Sequence, residues 1–199
     1  MTSPQVVLDY WFGEISPDGT VSEAKQTLWF TKRDATDEDI RRRFGPAVEG
    51  ALAGALDGWR ATPHGTVALV LVLDQFTRNI FRDTPRAFAG DPQALDIALA
   101  AWDTGLVQGL RTLEQVFLSM PLMHAEDLAV QERSVGTFQQ LWAAAPPALQ
   151  EMLAGNYKYA VAHRDVVARF GRFPHRNAIL GRQSTPEEAE FLKQPGSSF

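Results

Sequence analysis

Apolar residues in this chain recur mostly every three or four positions, and helix punctuation brackets nearly every such stretch. Ser3 and Pro4 supply a cap and a first-turn proline, the run Val6, Val7, Tyr10, Trp11 follows, and Gly13 lies just past it. A second helix is predicted from Ser22 to Phe30. Thr36 opens TDEDIRRRFG, a capping-box pattern with Asp39 in place of Glu. Acids fill its first turn and Arg41, Arg42 and Arg43 its last, which complements the helix dipole. From Pro46 a new stripe of Val48, Leu52, Ala55 and Trp59 predicts a further helix, ended by ATPHG.

VALVLVLDQF, from Val67 to Phe76, has the β-branched alternation of a buried strand. Its neighbours are helical and no second strand exists to pair with it, so a buried helix is predicted instead. Asp91-Pro92 starts another helix, with Leu95, Leu99 and Trp102 on one face and Gly105 as its stop. Thr112 to Ser119 reads as a short helix broken by Pro121. His124 to Ala143 reads as a long helix ended by Pro146-Pro147, and Pro147 to about Phe170 as the next, weakened at Gly155. Thr185-Pro186-Glu187-Glu188 begins a short last one. The expectation is an all-α single domain over residues 1–199, with roughly eight to ten helices and no linker or internal repeat.

Three polar clusters interrupt this apolar pattern. In LDQFTRNIFR, Asp74 and Arg78 lie four apart, as do Gln75 and Asn79, so each pair shares a helix face. The run before them is almost wholly apolar, which carries Asp74 and Arg78 inward, where they must pair. In PLMHAEDLAVQER, His124 and Asp127 share a face, and Glu126 points elsewhere unless the first turn is distorted. A histidine beside a carboxylate can be an oriented general base or a metal-ligating imidazole, and equally a helix N-terminus with acids in its first turn. The third cluster is AHRDVVARFGRFPHRN and its continuation to Arg182. His163 lies in an apolar stripe, where a lone histidine is usually a satisfied core residue.

Between Arg164 and Arg182 there are five arginines, one aspartate and no lysine, a local charge of about +4. Arginine suits bidentate carboxylate or phosphate contacts and stacking on aromatic rings. Gly171 fits a helix C-cap and Pro174 a rigid turn after it, so Arg172, His175, Arg176 and Asn177 are held in an ordered turn. These arginines either clamp earlier carboxylates such as Asp74 and Asp127 or hold a ligand.

Whole-chain properties narrow the choices. The chain has 199 residues, 45% of them hydrophobic and 22% charged, which is ordinary for a globular protein. Its net charge of −5 argues against broad nucleic-acid binding, which needs a basic field. There are no cysteines, so disulfides, thiolate metal sites and cysteine nucleophiles are out. MTSPQVVLDYWFGE lacks a cationic leader, and the longest apolar run, Val67 to Leu73, is too short to span a bilayer. A soluble cytoplasmic protein is expected, with no nucleic-acid or membrane partner. HExxH, ExxH, GxSxG, GxGxxG and the P-loop pattern are all absent, and His124, Asp127, His163 and His175 match no metal-site spacing. No metal or cofactor is assigned.

LDYWFG, LWF, LVLDQFTRNIFRDTPRAFAGD, PLMHAEDLAVQER and RFGRFPHRNAILGRQSTPEEAEFL together resemble the bacterial family catalogued as domain of unknown function 924. The resemblance runs from about Val7 to Leu192, with Thr77 where the family pattern would have Pro. It implies a fold similar to the tetratricopeptide-like α-α superhelical proteins and no established activity.

Three readings follow. In the first, Asp74, Gln75, Arg78, Asn79, His124, Asp127, Arg172, His175, Arg176 and Asn177 line one pocket for a small anionic molecule or a peptide carboxylate. In the second, His124, oriented by Asp127 or Asp74, is the general base of a hydrolase or lyase, with Arg176 and His175 stabilising a developing anion. In the third, the clusters form a buried ion-pair network that locks the C-terminal helices in place. Trp11 and Trp29 fit either core packing or a subunit contact. The sequence sets no oligomeric state.

Overall fold

The computed structural model describes residues 2–197. Its centre is the segment read as a buried helix. Helix α4 (Pro63–Val70) is capped by the Thr62 side chain, runs on through a π-helical turn at Leu71–Phe76, and ends as α5 (Thr77–Ile80). From Gly65 to Asp74 every residue is buried, and a helix that is apolar all round belongs in the interior. Burial on all faces thus overrides the strand propensity of Val67, Val70 and Val72.

Helices α1 (Pro4–Trp11), α3 (Asp34–Leu52), α6 (Asp91–Asp103) and α7 (Thr112–His124) pack on this rod. Helix α8 (Leu128–Ala143) packs on α7, and α9 (Gln150–Phe170) packs on α8. Among the described residues there is no strand. The short α2 (Glu23–Phe30) brings Trp29 to the end of α1. There Trp29 Nε1 donates to the Trp11 carbonyl at 3.0 Å, and its ring stacks on that of Trp11 at 6.3 Å. Both tryptophans therefore belong to core packing. Edge-to-face contacts of Trp11, Phe12 and Trp29 with Phe117 extend the same aromatic cluster.

Several boundaries differ from the sequence reading. Helix α3 starts at Asp34 rather than behind a Thr36 cap, and it runs through Pro46 without a break. Its inward stripe of Asp37, Ile40, Phe44, Ala47, Val48 and Ala51 is continuous across the proline. Burial of that stripe outweighs the one backbone hydrogen bond that Pro46 removes. Ala55 and Trp59 fall outside it, Trp59 in a separate 3-10 turn (Asp57–Ala61). Pro121 likewise lies inside α7, which continues to His124, and Gly155 does not interrupt α9. The predicted helix over His124 to Ala143 is really the last turn of α7, an extended corner, and α8.

Two features of this corner and its surroundings decide where the polar side chains go. The buried Gln131 amide donates to the carbonyls of Met123 and Ala125, both at 2.7 Å, so α8 satisfies the orphaned end of α7. At the start of α6, a Cβ on Gly90 would lie 2.2 Å from the Leu73 carbonyl oxygen. Only glycine permits that approach, and it lays the first turn of α6 against the π turn.

Candidate functional site

The π turn supplies the first side chains. Such turns widen the backbone and leave carbonyls seeking other donors. Here the Thr77 hydroxyl donates to the Leu73 carbonyl at 2.7 Å, and Arg78 Nη1 donates to the Asp74 carbonyl at 2.6 Å. Arg78 Nη1 also lies 3.0 Å from Asp74 Oδ1, the ion pair expected from their spacing. The same guanidinium binds Asp91 at both oxygens, at 2.9 and 3.0 Å. Asp91, the first residue of α6 after Gly90, thus both starts a helix and receives Arg78.

Asp74 is fully buried and surrounded by donors. Gln75 Nε2 lies 2.5 Å from its Oδ2, and His124 Nδ1 lies 2.7 Å from its Oδ1. Burial works against the charged carboxylate, but Arg78 and His124 outweigh it and hold the group well below the usual carboxylate range. Burial pushes the His124 imidazole down, Asp74 pulls it back in part, and Arg78 lowers it further. His124 is therefore neutral at pH 7.

Arg176 reaches this corner from the turn Pro174–Arg176, behind the Gly171 C-cap of α9. Its guanidinium lies between the rings of Phe88 and Phe173, at 4.8 and 4.5 Å. Nη1 donates to the His124 carbonyl at 3.1 Å, which completes the capping of α7. Asp91 Oδ2 is 3.6 Å away, too far for a hydrogen bond, and Nε is buried with no hydrogen-bond partner among the described residues. Burial, then the nearby Arg78 charge, lowers this arginine to about 10, so it remains cationic at neutral pH. The side chains of Asp74, Arg176, His124 and Arg78 are 0%, 8%, 15% and 21% exposed, so a buried pair carries a rim that water reaches.

Other predicted site residues lie elsewhere. Asn79 Nδ2 donates to Asp37 at 2.8 Å, and Arg82 holds the same carboxylate with two hydrogen bonds; this cluster ties α5 to α3. Asp127 does not meet His124: the chain turns at Ala125, and Asp127 caps α8 by accepting from Val130 N at 2.9 Å. The carboxylate that matters there is Glu126, which the helical reading pointed away. It accepts from both Nη atoms of Arg182 at 2.5 and 2.8 Å and from Phe173 N at 2.7 Å.

Arg172 binds Glu188 at 2.7 and 2.8 Å, and Asn177 bridges Arg182, Ser184 and Glu188. Glu188 belongs to the capping box of α10 (Pro186–Phe191), which the sequence marked correctly. His175 lies beside Phe173, with ring centroids 5.6 Å apart; burial and Arg176 lower it to about 4. His163 is buried, its Nδ1 donating to the Tyr159 carbonyl at 2.8 Å, and burial lowers it to about 3. Its ring lies 6.4 Å from that of His124.

The positive excess read between Arg164 and Arg182 is thus matched from other elements. Arg164 pairs with Glu132 and Asp165, Arg169 with Glu187, Arg172 with Glu188 and Arg182 with Glu126. Arg176 is the exception, its carboxylate standing off at 3.6 Å. Among the described residues, no group of three or more His, Asp or Glu side chains is placed to hold a metal ion.

These features define an all-helical protein whose C-terminal turn closes over a buried aspartate–histidine pair. The chain belongs to the bacterial protein family of unknown function DUF924, whose model matches residues 7–196. It is similar to a solved structure of a protein of unknown function from Agrobacterium tumefaciens, with 37% identity, a TM-score of 0.77 and 96% of each chain covered. No curated protein matches it. None of the described helices is long and apolar enough to cross a membrane.

Proposed function

We propose that this chain is a soluble cytoplasmic protein, a single tetratricopeptide-like superhelical domain, that binds a small anionic molecule or a peptide carboxylate at the corner of Arg176, His124 and Asp74. The observation that carries the reading is Arg176 itself. It is a buried cation, stacked on two aromatic rings and hydrogen-bonded to one neutral carbonyl, with its paired carboxylate, Asp91, 3.6 Å away and Nε without a hydrogen-bond partner among the described residues. A buried charge left in that state is costly unless a further acceptor completes it. The other predicted arginines spend their donors on protein carboxylates, so they act as ties rather than as ligand groups. The superhelical part of the reading draws on α6, α7, α8 and α9, each packed on the next in chain order.

A thermal-shift panel of small carboxylates, phosphates and sulfate tests this reading, since ligand at about 100 times its Kd adds about 2.7 kcal/mol of stability. The expected result is stabilisation by at least one anion, lost in Arg176→Gln while circular dichroism stays unchanged. Absence of any stabilisation across the panel would overturn it.

A second reading is favoured by the 2.7 Å contact between His124 and Asp74. A carboxylate on Nδ1 orients an imidazole as a general base, the arrangement expected of a hydrolase or lyase. A hydrolase screen in which His124→Ala performs like the parent would exclude it.

A further inference from the structure

The anion-binding reading leaves open what else the anion must carry, and the Asp74–His124 pair answers that. Two side-chain donors meet on the Asp74 carboxylate, His124 on Oδ1 and Gln75 on Oδ2, and Arg78 Nη1 forms an ion pair with Oδ1 at 3.0 Å. A carboxylate in that company is ionised and can only accept. The proton between the two residues therefore sits on His124 Nδ1. In a neutral ring that leaves Nε2 as a bare acceptor. Among the described residues, the hydrogen bonds of the His124 ring are confined to Nδ1. Arg176, joined to the same residue through the His124 carbonyl at 3.1 Å, offers the opposite: donors and no acceptor.

We propose that this corner takes an anion that itself bears an O–H group, its charged oxygens received by Arg176 and its hydroxyl donating to His124 Nε2. Hydrogen phosphate and α-hydroxy carboxylates have this chemistry. Sulfate and simple carboxylates do not, because they set an oxygen lone pair against the nitrogen lone pair. The inference rests on the anion-binding reading above and narrows it to a substrate class.

Two matched pairs of probes test it by isothermal titration calorimetry on the full chain at about pH 8, where most inorganic phosphate is the dianion. Phosphate and sulfate are then dianions of similar shape that differ by one proton, and glycolate differs from acetate by one hydroxyl. The expected result is that the O–H-bearing member of at least one pair binds roughly tenfold or more tightly than its partner, because the site penalises a mispaired group. A phosphate preference assigns an acid phosphate, and a glycolate preference a hydroxy acid. Equal or tighter binding of sulfate and acetate overturns this inference and leaves the anion-binding reading standing. If none of the four binds, the anion-binding reading falls as well.

His124→Gln provides a further check. Its amide can present either a donor or an acceptor, so the preference should collapse while the anion still binds; a preference retained in this variant overturns the inference. Imidazole ¹⁵N spectra of the unmodified chain test the premise directly. A pyridine-type Nε2 on His124 is expected, and an Nε2–H resonance would contradict it.

Discussion

His124 Nδ1 stands 2.7 Å from Asp74 Oδ1, across fifty residues of chain, and a π turn on one side and a capped helix end on the other hold the two together. Asp74 lies on the central rod and His124 on the last turn of α7. The distance between them depends on how α7 ends. Gln131 and Arg176 take the carbonyls of Met123, His124 and Ala125, so that end is fixed by side chains from α8 and from the C-terminal turn. The pair is thus positioned by elements drawn from most of the length of the protein.

Asp74→Asn should be the most damaging substitution in the cluster. It replaces a fully buried carboxylate that accepts from Gln75 and His124 and pairs with Arg78, and leaves the Arg78 charge with Asp91 alone. A loss of about 3–5 kcal/mol is expected. Urea unfolding followed by circular dichroism measures it, and a loss below about 1 kcal/mol would contradict the burial and pairing described.

Glu126 and Asp127 are adjacent carboxylates with very different expected costs. Glu126→Ala strips Arg182 and the Phe173 amide of their acceptor. It should lower stability by about 2–3 kcal/mol and raise hydrogen exchange in the segment 173–191. Asp127→Ala removes only the N-cap of α8, about 1 kcal/mol. Equal effects of the two would restore Asp127 to the role that the sequence pattern proposed for it.

Two glycines make a contrasting pair. Gly90→Ala forces a Cβ to within 2.2 Å of the Leu73 carbonyl oxygen, so either α6 or the π turn must move. The expected cost is about 1–3 kcal/mol or more, together with loss of the Arg78–Asp91 contact. Gly136, inside α8, faces open space, and Gly136→Ala should stabilise by about 0.5–1 kcal/mol. Thermal melts of both variants suffice to check the signs.

Stability should fall steadily from neutral to acid pH, beginning in the histidine range. His163 is lowered to about 3 and His175 to about 4, in both cases chiefly by burial, whereas in the unfolded chain each titrates near 6.5. Below about 6.5 the unfolded chain takes up protons that the folded one refuses, so the folded state loses stability down toward pH 4. Glu126 and Asp74 are held below the usual carboxylate range against the cost of burial. Their contribution is present above their unfolded values and lost as pH falls through the folded ones, the same direction. Urea midpoints at about pH 5, 6 and 7 give the slope, and His163→Gln should reduce the proton uptake on unfolding by about one.

The helical class, most helix starts and the inward course of Val67–Phe76 were legible in the order of residues. Caps, prolines and a three-to-four periodicity act within a few residues and carry their own physical consequence wherever the chain goes. The Asp74–Arg78 ion pair was legible for the same reason, one helical turn separating its members. Pro46 and Pro121 misled because their local cost is a single hydrogen bond, and the burial of a whole helix face outweighs it.

The partners of the remaining charges could not be read this way. Arg182 meets Glu126 across 56 residues and His124 meets Asp74 across 50, and in each case several carboxylates of equal chemistry were available in the sequence. An ion pair's strength depends on burial and on distances of a few tenths of an ångström, and those exist only once helices have packed. Packing assigned Glu126 instead of Asp127 to the C-terminal arginines, because the end of α7 turns the chain at Ala125 and a helix face never forms there. Among the described residues it also left Arg176 alone of those arginines without a carboxylate in hydrogen-bond reach, a property of three dimensions that no spacing along the chain encodes.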